Sequence, residues 1–418
     1  MKNNDWLYTI LPISAVSSGF SVLIPLYILY LGGNVLDVGI AVTLFNIFEV
    51  PASLFWGNIT DRLHKNKTLI LLSILGIMPI FALLYLMTYV ATGEVMYGIY
   101  AFIATASSPA INIMIIGKRR NKSLPRYYSK YSMLAILGGL LALVPGVFIQ
   151  KQTLYYYLLF LFVINIAGLV MAYFLIKPDK LQPKTAEPAF RRSFSLLNML
   201  SVTPLLMTGK HLLDRMVKEV RMKRNRQIYL ILAAMSLFNL GLYLFNTSYI
   251  PFLDHNGITY GSIFIINIAN SFGQIFVYGA VMLAIRNFRI NLYYRSASFI
   301  RALGYFIAFL PMLIIPAYLL YFNIFAYFIA GIGYSIWNVA SSVLLYTHIK
   351  NRREGKYIGI WLAVLGTSAI VGSLASGVIS QYVGYLETFS LAIIVTLISI
   401  VVFSSESRAD PKSNDMLK

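Results

Sequence analysis

Long apolar runs separated by short polar segments occupy most of the 418 residues of the chain. A hydrocarbon core about 30 Å thick requires about 20 residues of helix, and the polar interruptions leave twelve runs of roughly that length. The pattern therefore predicts an all-α membrane protein with twelve transmembrane helices. The predicted spans cover residues 6–31, 36–56, 68–90, 95–117, 131–150, 153–176, 227–250, 258–284, 296–317, 322–346, 357–382 and 386–404.

Two boundaries in this pattern depend on few residues. We predict the turn between the third and fourth spans at residues 92–94, which read Thr-Gly-Glu. The apolar stretch 296–346 is too long for one span, and Pro311, Pro316 and Asn323 are the residues available to interrupt it.

Residues 177–226 interrupt the succession of spans with several prolines and twelve Lys or Arg. We expect an N-terminal half at residues 1–176, a cytoplasmic linker at 177–226, a C-terminal half at 227–404 and a cytoplasmic tail at 405–418. Within the linker, apolar residues recur at helical spacing opposite charged ones. This spacing predicts a basic amphipathic helix on the inner membrane surface or, alternatively, a helix that binds a partner protein. The apolar positions are Leu205, Leu206, Leu212, Leu213, Met216, Val217 and Val220.

Weak internal matches support a duplication of six helices. The triplets at 24–26 and 250–252 match at an offset of 226. Two further sets of positions correspond between the halves, and all three matches fall in corresponding spans and in the same order. Asn46, Glu49 and Ser53 correspond to Asn267, Asn270 and Gln274, and Arg126, Gly139 and Pro145 correspond to Arg353, Gly366 and Gly372. The sequence thus predicts two pseudo-symmetric six-helix bundles.

Composition and charge agree with a membrane protein. The chain is 58% hydrophobic and 12% charged, with a net charge of +19 and a mean hydropathy of +0.72. With the predicted spans, all of the 34 Lys and Arg except Lys151 lie on one side, which the positive-inside rule identifies as cytoplasmic. We expect a plasma-membrane protein with both termini in the cytoplasm and contacts to anionic lipids at the cytoplasmic face. The same placement explains the charge without a nucleic-acid partner.

The chain contains no cysteine and only four scattered histidines. Thiolate chemistry is therefore excluded, and the spacing of the histidines provides no metal-ligand pair. We expect no enzyme activity, no catalytic residue, no metal and no cofactor.

A charged, glycine-led segment joins the second and third spans. It reads Gly-Asn-Ile-Thr-Asp-Arg from Gly57 to Arg62 and continues to Lys67. A glycine followed four residues later by Asp-Arg and then by bases resembles the signature loop of the major facilitator superfamily (MFS), and the plan of two times six helices extends the resemblance to nearly the whole chain. The departures are His64, where the family has a glycine, and the lack of an acid in the corresponding loop after span eight.

The resemblance implies a secondary transporter that works by alternating access, with its substrate bound between two halves. It also implies a conformational latch made of Gly57, Asp61 and Arg62. Gly57 would allow close helix approach, and Asp61 would face the start of the eleventh helix near residues 355–357, where an N-terminus stabilises an anion. The alternative is that these are solvated charges that only fix the topology.

Glu49 is the acid that lies deep in an apolar span with no base nearby in sequence. A charge at this depth costs about 2.5–3.5 kcal/mol on insertion scales, and apolar surroundings favour the protonated form. Glu49 is therefore a candidate for proton coupling, with Asn46, Ser53 and Trp56 on its face of the helix. The alternative is a protonated Glu49 that hydrogen-bonds a neighbouring helix in a structural role.

Amides on several other spans are candidates for the substrate cavity, because they cannot be left facing lipid. Arg295 and Arg301, at the predicted start of span nine, are expected to extend to the membrane surface. The candidate residues besides Glu49 and Asn46 are Asn112, Asn239, Asn246, Asn267, Asn270, Gln274, Trp337 and Asn338.

The favoured function is secondary active transport of a small solute by a protein expected to be a monomer, with proton coupling through Glu49 as an additional hypothesis. A transport-like sensor or partner-binding membrane protein is the alternative, and a membrane-embedded enzyme is disfavoured by the absence of a catalytic constellation. Because few charges are predicted to be buried, the sequence favours a neutral or weakly charged solute.

Overall fold

A computed structural model describes residues 5–63, 65–116, 124–177, 226–284, 290–314, 318–349 and 354–407. Within these ranges the chain is α-helical and has no β-strand. Short 3-10 turns at Asp5–Thr9 and Lys151–Thr153 precede the first and seventh helices. The helices are α1 (Ile10–Tyr30), α2 (Val35–Leu63), α3 (Asn66–Leu86), α4 (Val90–Ala104), α5 (Ser107–Ile116), α6 (Leu124–Gly146), α7 (Leu154–Leu175), α8 (Arg226–His255), α9 (Tyr260–Ala284), α10 (Ile290–Ile314), α11 (Leu319–Ile349), α12 (Glu354–Tyr382) and α13 (Tyr385–Ser407).

Each predicted span corresponds to one helix, except the fourth span, which is divided into α4 and α5. Pro109 accounts for the division, because it has no N–H to donate to the carbonyl of Thr105. That carbonyl accepts a hydrogen bond from the N–H of Ser108 instead, at 3.2 Å. The hydroxyls of Ser73 and Ser107 donate to the carbonyl of Ala104, at 3.3 and 2.9 Å. These bonds satisfy backbone groups that a continuous helix would pair internally.

The turn predicted at residues 92–94 is wrong, since these residues lie inside α4 and the turn is at residues 87–89. Gly93 is helical because it packs closely against α1. A Cβ at this position would lie 3.3 Å from the Tyr27 ring. Gly93 therefore allows two helices to pack closely and does not form a turn.

The predicted division of the stretch 296–346 is confirmed, with α10 ending at Ile314 and α11 beginning at Leu319. Pro311 lies within α10. Asn323 is buried within α11, where its amide donates to the carbonyl of Ala308 at 3.0 Å. The interruption therefore falls near Pro316, which lies outside the described residues.

Among the described residues, 9 helices are long and apolar enough to span a membrane on length and composition alone. A shorter apolar helix covers Lys130–Gly146. The remaining membrane-length elements are the divided fourth span and α10, which carries Arg295 and Arg301. The fold is therefore that of a multi-pass membrane protein.

Two bundles of six spans make up the molecule. One half contains α1–α7, in which α4 and α5 together form one span, and the other contains α8–α13. The halves meet along two helix pairs, α2 with α12 and α6 with α9. These pairs are equivalent under the predicted duplication, because spans two and eight correspond, as do spans five and eleven. The predicted linker helix and the tail beyond residue 407 lie outside the described residues, so the domain boundaries remain predictions.

The tightest contacts between the halves lie toward one side of the bundle. We call the side where α1 begins and α2 ends the near face, and the opposite side the far face. Gly39 of α2 meets Gly377 of α12 toward the far face, where a Cβ at Gly39 would lie 2.8 Å from the Gly377 Cα. One turn deeper, the hydroxyls of Thr43 and Ser373 are hydrogen-bonded at 2.9 Å.

The second pair of helices closes the far face in the same way. Gly146 at the end of α6 leaves room for the ring of Phe264, and Gly261 of α9 packs against the carbonyl of Val147. The hydroxyl of Tyr260 donates to the carbonyl of Leu26, at 3.4 Å. Toward the near face, by contrast, a Cβ at Gly57 would meet no atom within 4 Å. The far face is closed in this conformation.

Candidate functional site

A cavity of about 240 Å³ lies where the two halves separate below the far-face contacts. Its walls come from α2 of the first half and from α8 and α12 of the second. The polar lining concentrates on α2 and α8, whereas the α12 wall is apolar. The lining residues are Asn46, Glu49, Val50, Ser53, Leu54, Asn239, Tyr243, Leu362, Ala363, Leu365, Gly366 and Ala369.

Helical spacing places Glu49 in this cavity together with Asn46 and Ser53, as the sequence predicts. The Asn46 amide donates to the carbonyl of Val42 and the Ser53 hydroxyl to that of Val50, both at 2.8 Å. These two side chains are thus held against their own helix.

The carboxyl group of Glu49 is half-buried and accepts no hydrogen bond or ion pair from the residues that the structure describes. Four tyrosines surround it closely enough to interact electrostatically. Tyr97 and Tyr100 come from α4, Tyr243 from α8 and Tyr334 from α11. An acid of the first half therefore faces aromatic hydroxyl groups of both halves.

Asn239 forms part of the opposite wall and connects two helices of the second half. Its amide donates to the carbonyl of Leu365 at 2.9 Å and to the hydroxyl of Ser368 at 3.2 Å. It therefore fixes α8 against α12 next to the cavity.

Asn246 lies two turns farther along α8 and binds a buried cation. Its Oδ1 accepts hydrogen bonds from Arg301 Nη2 at 3.1 Å and from the hydroxyl of Tyr327 at 3.4 Å. Arg301 is only 3% exposed, so the prediction that it extends to the membrane surface is wrong. The reason is the start of α10 at Ile290, because eleven residues at 1.5 Å each place Arg301 about 16 Å along the helix.

The remaining predicted amides are bonded within the second half. Asn267 donates to the carbonyl of Ile263 at 2.9 Å, within α9. Asn270 donates to the carbonyl of Tyr327 at 3.1 Å and accepts from Gln274 at 2.6 Å. The bond from Asn270 to Tyr327 connects α9 to α11, and the other two bonds lie within α9.

The other predicted cavity residues lie away from this cavity. Asn338 donates to the hydroxyl of Tyr278 at 3.1 Å. Trp337 is buried and stacks on Phe238 with the ring centroids 4.3 Å apart. Asn112 lies on α5 and does not line this cavity.

For the predicted latch, the structure describes only part of the site. Gly57 lies within α2 and has open space around it. The backbones of Asp61 and Arg62 continue α2, but their side chains and those of residues 355–357 lie outside the described residues. The latch therefore remains a prediction.

A second cavity, of about 170 Å³, lies inside the first bundle beside the division between α4 and α5. Hydroxyl groups and one amide make up its polar lining, including Ser17, Ser73, Ser107 and Asn165. Asn165 is buried and donates to the carbonyl of Ile74 at 3.0 Å. This cavity does not reach the second half.

Sequence reasoning missed Tyr334, Arg301 and the whole α12 wall as neighbours of the site. For Arg301, the feature that indicates burial is its distance of eleven residues from the start of α10 at Ile290. The signal for α12 was Gly366, at which a Cβ would collide with the Val50 side chain across the interface.

Two pseudo-symmetric bundles, a closed far face and a cavity between them with a few polar side chains define a membrane transporter. The Major Facilitator Superfamily model matches residues 7–345 and 295–417. The chain belongs to this superfamily.

Solved structures of transporters share the fold. A proton dependent oligopeptide transporter is 12% identical, with a TM-score of 0.72, over 98% of this chain and 98% of that chain. The nucleoside transporter NupG is 13% identical, with a TM-score of 0.63, over 97% and 99%. A bacterial metal transporter is 14% identical, with a TM-score of 0.62, over 97% and 98%. No curated protein sequence matched the chain.

Proposed function

We propose that this secondary transporter binds its solute in the cavity between the halves and couples its movement to protonation of Glu49. The observation that carries this proposal is the position of Glu49. Its carboxyl group faces an interfacial cavity, with tyrosines of both halves around it and no described base paired with it. A conformational change that moves the halves would therefore alter the surroundings of this acid directly.

The charge distribution supports an orientation. Because nearly all Lys and Arg belong to the predicted near-face loops, the near face is cytoplasmic by the positive-inside rule. The closed far face is then the outer face of the plasma membrane, and the conformation is inward-facing. Both termini are cytoplasmic, the near-face bases contact anionic lipids, and the protein acts as a monomer.

The cavity accommodates a small solute. Its volume of about 240 Å³ equals the share of about eight water molecules in liquid water. Asn46, Asn239 and Tyr243 offer hydrogen-bonding groups on both walls. Transport with no catalytic chemistry is the function that such a lining supports.

Protonation of Glu49 matters most when the halves close around it. A carboxylate removed from water is strongly disfavoured unless it is paired, and the described polar groups near Glu49 are neutral amides and hydroxyls. Binding a proton neutralises the group and allows the halves to change conformation. One structural neighbour is described as proton dependent, which is compatible with such coupling.

In this proposal, the latch of Gly57, Asp61 and Arg62 holds the near face closed in the outward-facing part of the transport cycle. When the near face closes, α2 approaches the start of α12, and Asp61 and Arg62 meet that helix end. The open space around Gly57 fits the released state of such a latch.

Proton movement in sealed vesicles tests the coupling. The purified protein is reconstituted with an internal pH dye, and a panel of small solutes is added in turn. We expect one or more solutes to drive proton flux in the wild type. Glu49→Gln should abolish this flux while retaining exchange of the same labelled solute, and Glu94→Gln, an acid near the far face, should behave as wild type. Undiminished proton flux in Glu49→Gln would overturn the coupling role.

A further inference from the structure

Arg301 is a buried cation that no acid pairs with in the part of the chain that the structure describes. Its guanidinium donates to three neutral acceptors: the hydroxyl of Tyr305 at 2.8 Å, the carbonyl of Ala330 at 2.6 Å and Oδ1 of Asn246 at 3.1 Å. The rings of Tyr305 and Tyr334 lie 4.9 and 5.9 Å from it. Within the described ranges no carboxylate pairs with it. Three of its five N–H groups are hydrogen-bonded, and no described residue neutralises its positive charge.

An unneutralised charge inside a membrane protein is costly, and such charges generally serve ion or substrate pathways. Arg301 lies in the contact between α10 and α11, which is very close. A Cβ at Gly333 would lie 2.8 Å from the Arg301 backbone nitrogen. The guanidinium is therefore held in a fixed position by rigid packing.

The charge lies one side chain behind the interface between the halves. Asn246 and Tyr334 touch the guanidinium, and both are half-buried and thus partly accessible. Asn246 is one turn from Tyr243, which lines the cavity. Tyr334 in turn lies close to Glu49 of the opposite half. The cation therefore lies close to the cavity, behind Asn246 and Tyr334, which border the cavity but do not line it.

We infer that the solute carries an oxyanion group, a carboxylate or a phosphate, which binds against the wall formed by Asn246 and Tyr334 in front of Arg301. This inference rests on the proposed function and narrows the neutral or weakly charged solute that the sequence favours to an anionic one. The sequence favours a neutral or weakly charged solute because few charges are predicted to be buried, and the burial of Arg301 adds a cation to them.

The charges balance across the two halves. The oxyanion neutralises Arg301, and a proton neutralises Glu49, so each buried charge has a partner when both ligands are bound. A monoanion that moves with one proton transfers no net charge. Arg301 would be a specificity-determining residue that acts partly through Asn246.

Asn246→Asp tests this arrangement without removing the arginine. The carboxylate has the shape of the amide and keeps the acceptor at 3.1 Å from Arg301 Nη2, so the fold should survive. It also supplies a permanent internal anion next to the cation. An arriving oxyanion then meets an already neutralised site and a like charge.

The experiment measures thermal unfolding of the purified full-length protein with matched probe pairs. Lactate is compared with lactamide, benzoate with benzamide and glycerol 3-phosphate with glycerol. We expect the charged member of at least one pair to raise the Tm of the wild type by about 1–3 °C at ten times its Kd. The neutral member should give no shift, and the carboxylate and phosphate pairs distinguish the two sources of oxyanion.

The variants then decide the role of Arg301. Asn246→Asp should fold and lose at least tenfold in affinity for the stabilising anion, whereas Asn256→Asp, which adds the same charge near the far face, should retain it. Equal shifts by charged and neutral probes, no shift by any anion, or unchanged anion affinity in Asn246→Asp would each overturn the inference. Glu49→Gln should still bind the anion, so failure of proton coupling and failure of anion binding are separate outcomes.

Discussion

At the scale of single residues, several buried polar side chains of the second half are hydrogen-bonded to each other or to the backbone. Asn323 is the clearest case. It is fully buried, accepts from the hydroxyl of Tyr249 at 2.7 Å and donates to the carbonyls of Ala308 and Leu319. It joins α11 to α8 and α10 in one contact.

Asn323→Leu should lower the free energy of unfolding by about 1–3 kcal/mol, because it leaves the buried hydroxyl of Tyr249 without an acceptor. Reversible unfolding in mixed micelles measures this loss. In the double variant with Tyr249→Phe the loss should be smaller than the sum of the two single losses. Strict additivity would show that this hydrogen bond does not stabilise the protein.

The sequence predicts residue positions well where only depth matters. Glu49 is central because both ends of its span are marked by polar turns, so its position along the helix can be counted. Arg301 was misplaced because a start assumed at residue 296 made it appear shallow. Tyr334 could not be identified at all, since which of many tyrosines approaches Glu49 depends on how the halves pack.

At the scale of elements, helix pairs between the halves are joined by small residues. Gly39 and Gly377 bring α2 and α12 into backbone contact, and a side chain at either position would push the helices apart. This contact belongs to the far-face-closed conformation.

Gly39→Val should therefore destabilise this conformation by about 1–3 kcal/mol, as overpacking generally does. Each 1.4 kcal/mol corresponds to a tenfold shift toward the opposite conformation. A Ser53→Cys reporter in the cavity should react faster with an impermeant maleimide added at the far face of vesicles of known orientation. Gly279→Val, where a Cβ meets no atom within 4 Å, is the matched control. Equal labelling in both would contradict this role of Gly39.

Element boundaries could be predicted wherever charge or helix length decides them. The turn at 92–94 was misassigned because glycine also serves close packing, here against Tyr27. The sequence does not predict the division at residues 105–106 from Pro109, because six of the other helices contain a proline and remain unbroken. Those helices are α1, α2, α3, α6, α8 and α10.

At the scale of the whole molecule, the duplication explains why two equivalent helix pairs join the halves. The repeat in the sequence predicts the two bundles. It does not predict which face is closed, since a pseudo-symmetric molecule can close either end with the same helices. The structure adds that information through the contacts at Gly39, Thr43 and Gly261.

Thr43→Cys with Ser373→Cys should lock the far face closed, because the two native hydroxyl oxygens are 2.9 Å apart and a disulfide requires side chains in such contact. The chain has no other cysteine, so no background must be removed. After oxidation and tryptic cleavage within the basic linker, the halves should migrate together on a gel and separate when dithiothreitol is added. Separation before reduction, as expected for Thr43→Cys alone, would argue against the closed contact.

The division between α4 and α5 has a consequence for biogenesis. Neither piece, of 15 and 10 residues, is long enough to enter a bilayer as an independent hydrophobic segment. The carbonyl of Ala104 finds its extra donor on Ser73 of α3. The third span should therefore be retained by the translocation machinery until the fourth has emerged, so that the two enter the lipid as a unit and not in strict sequential order.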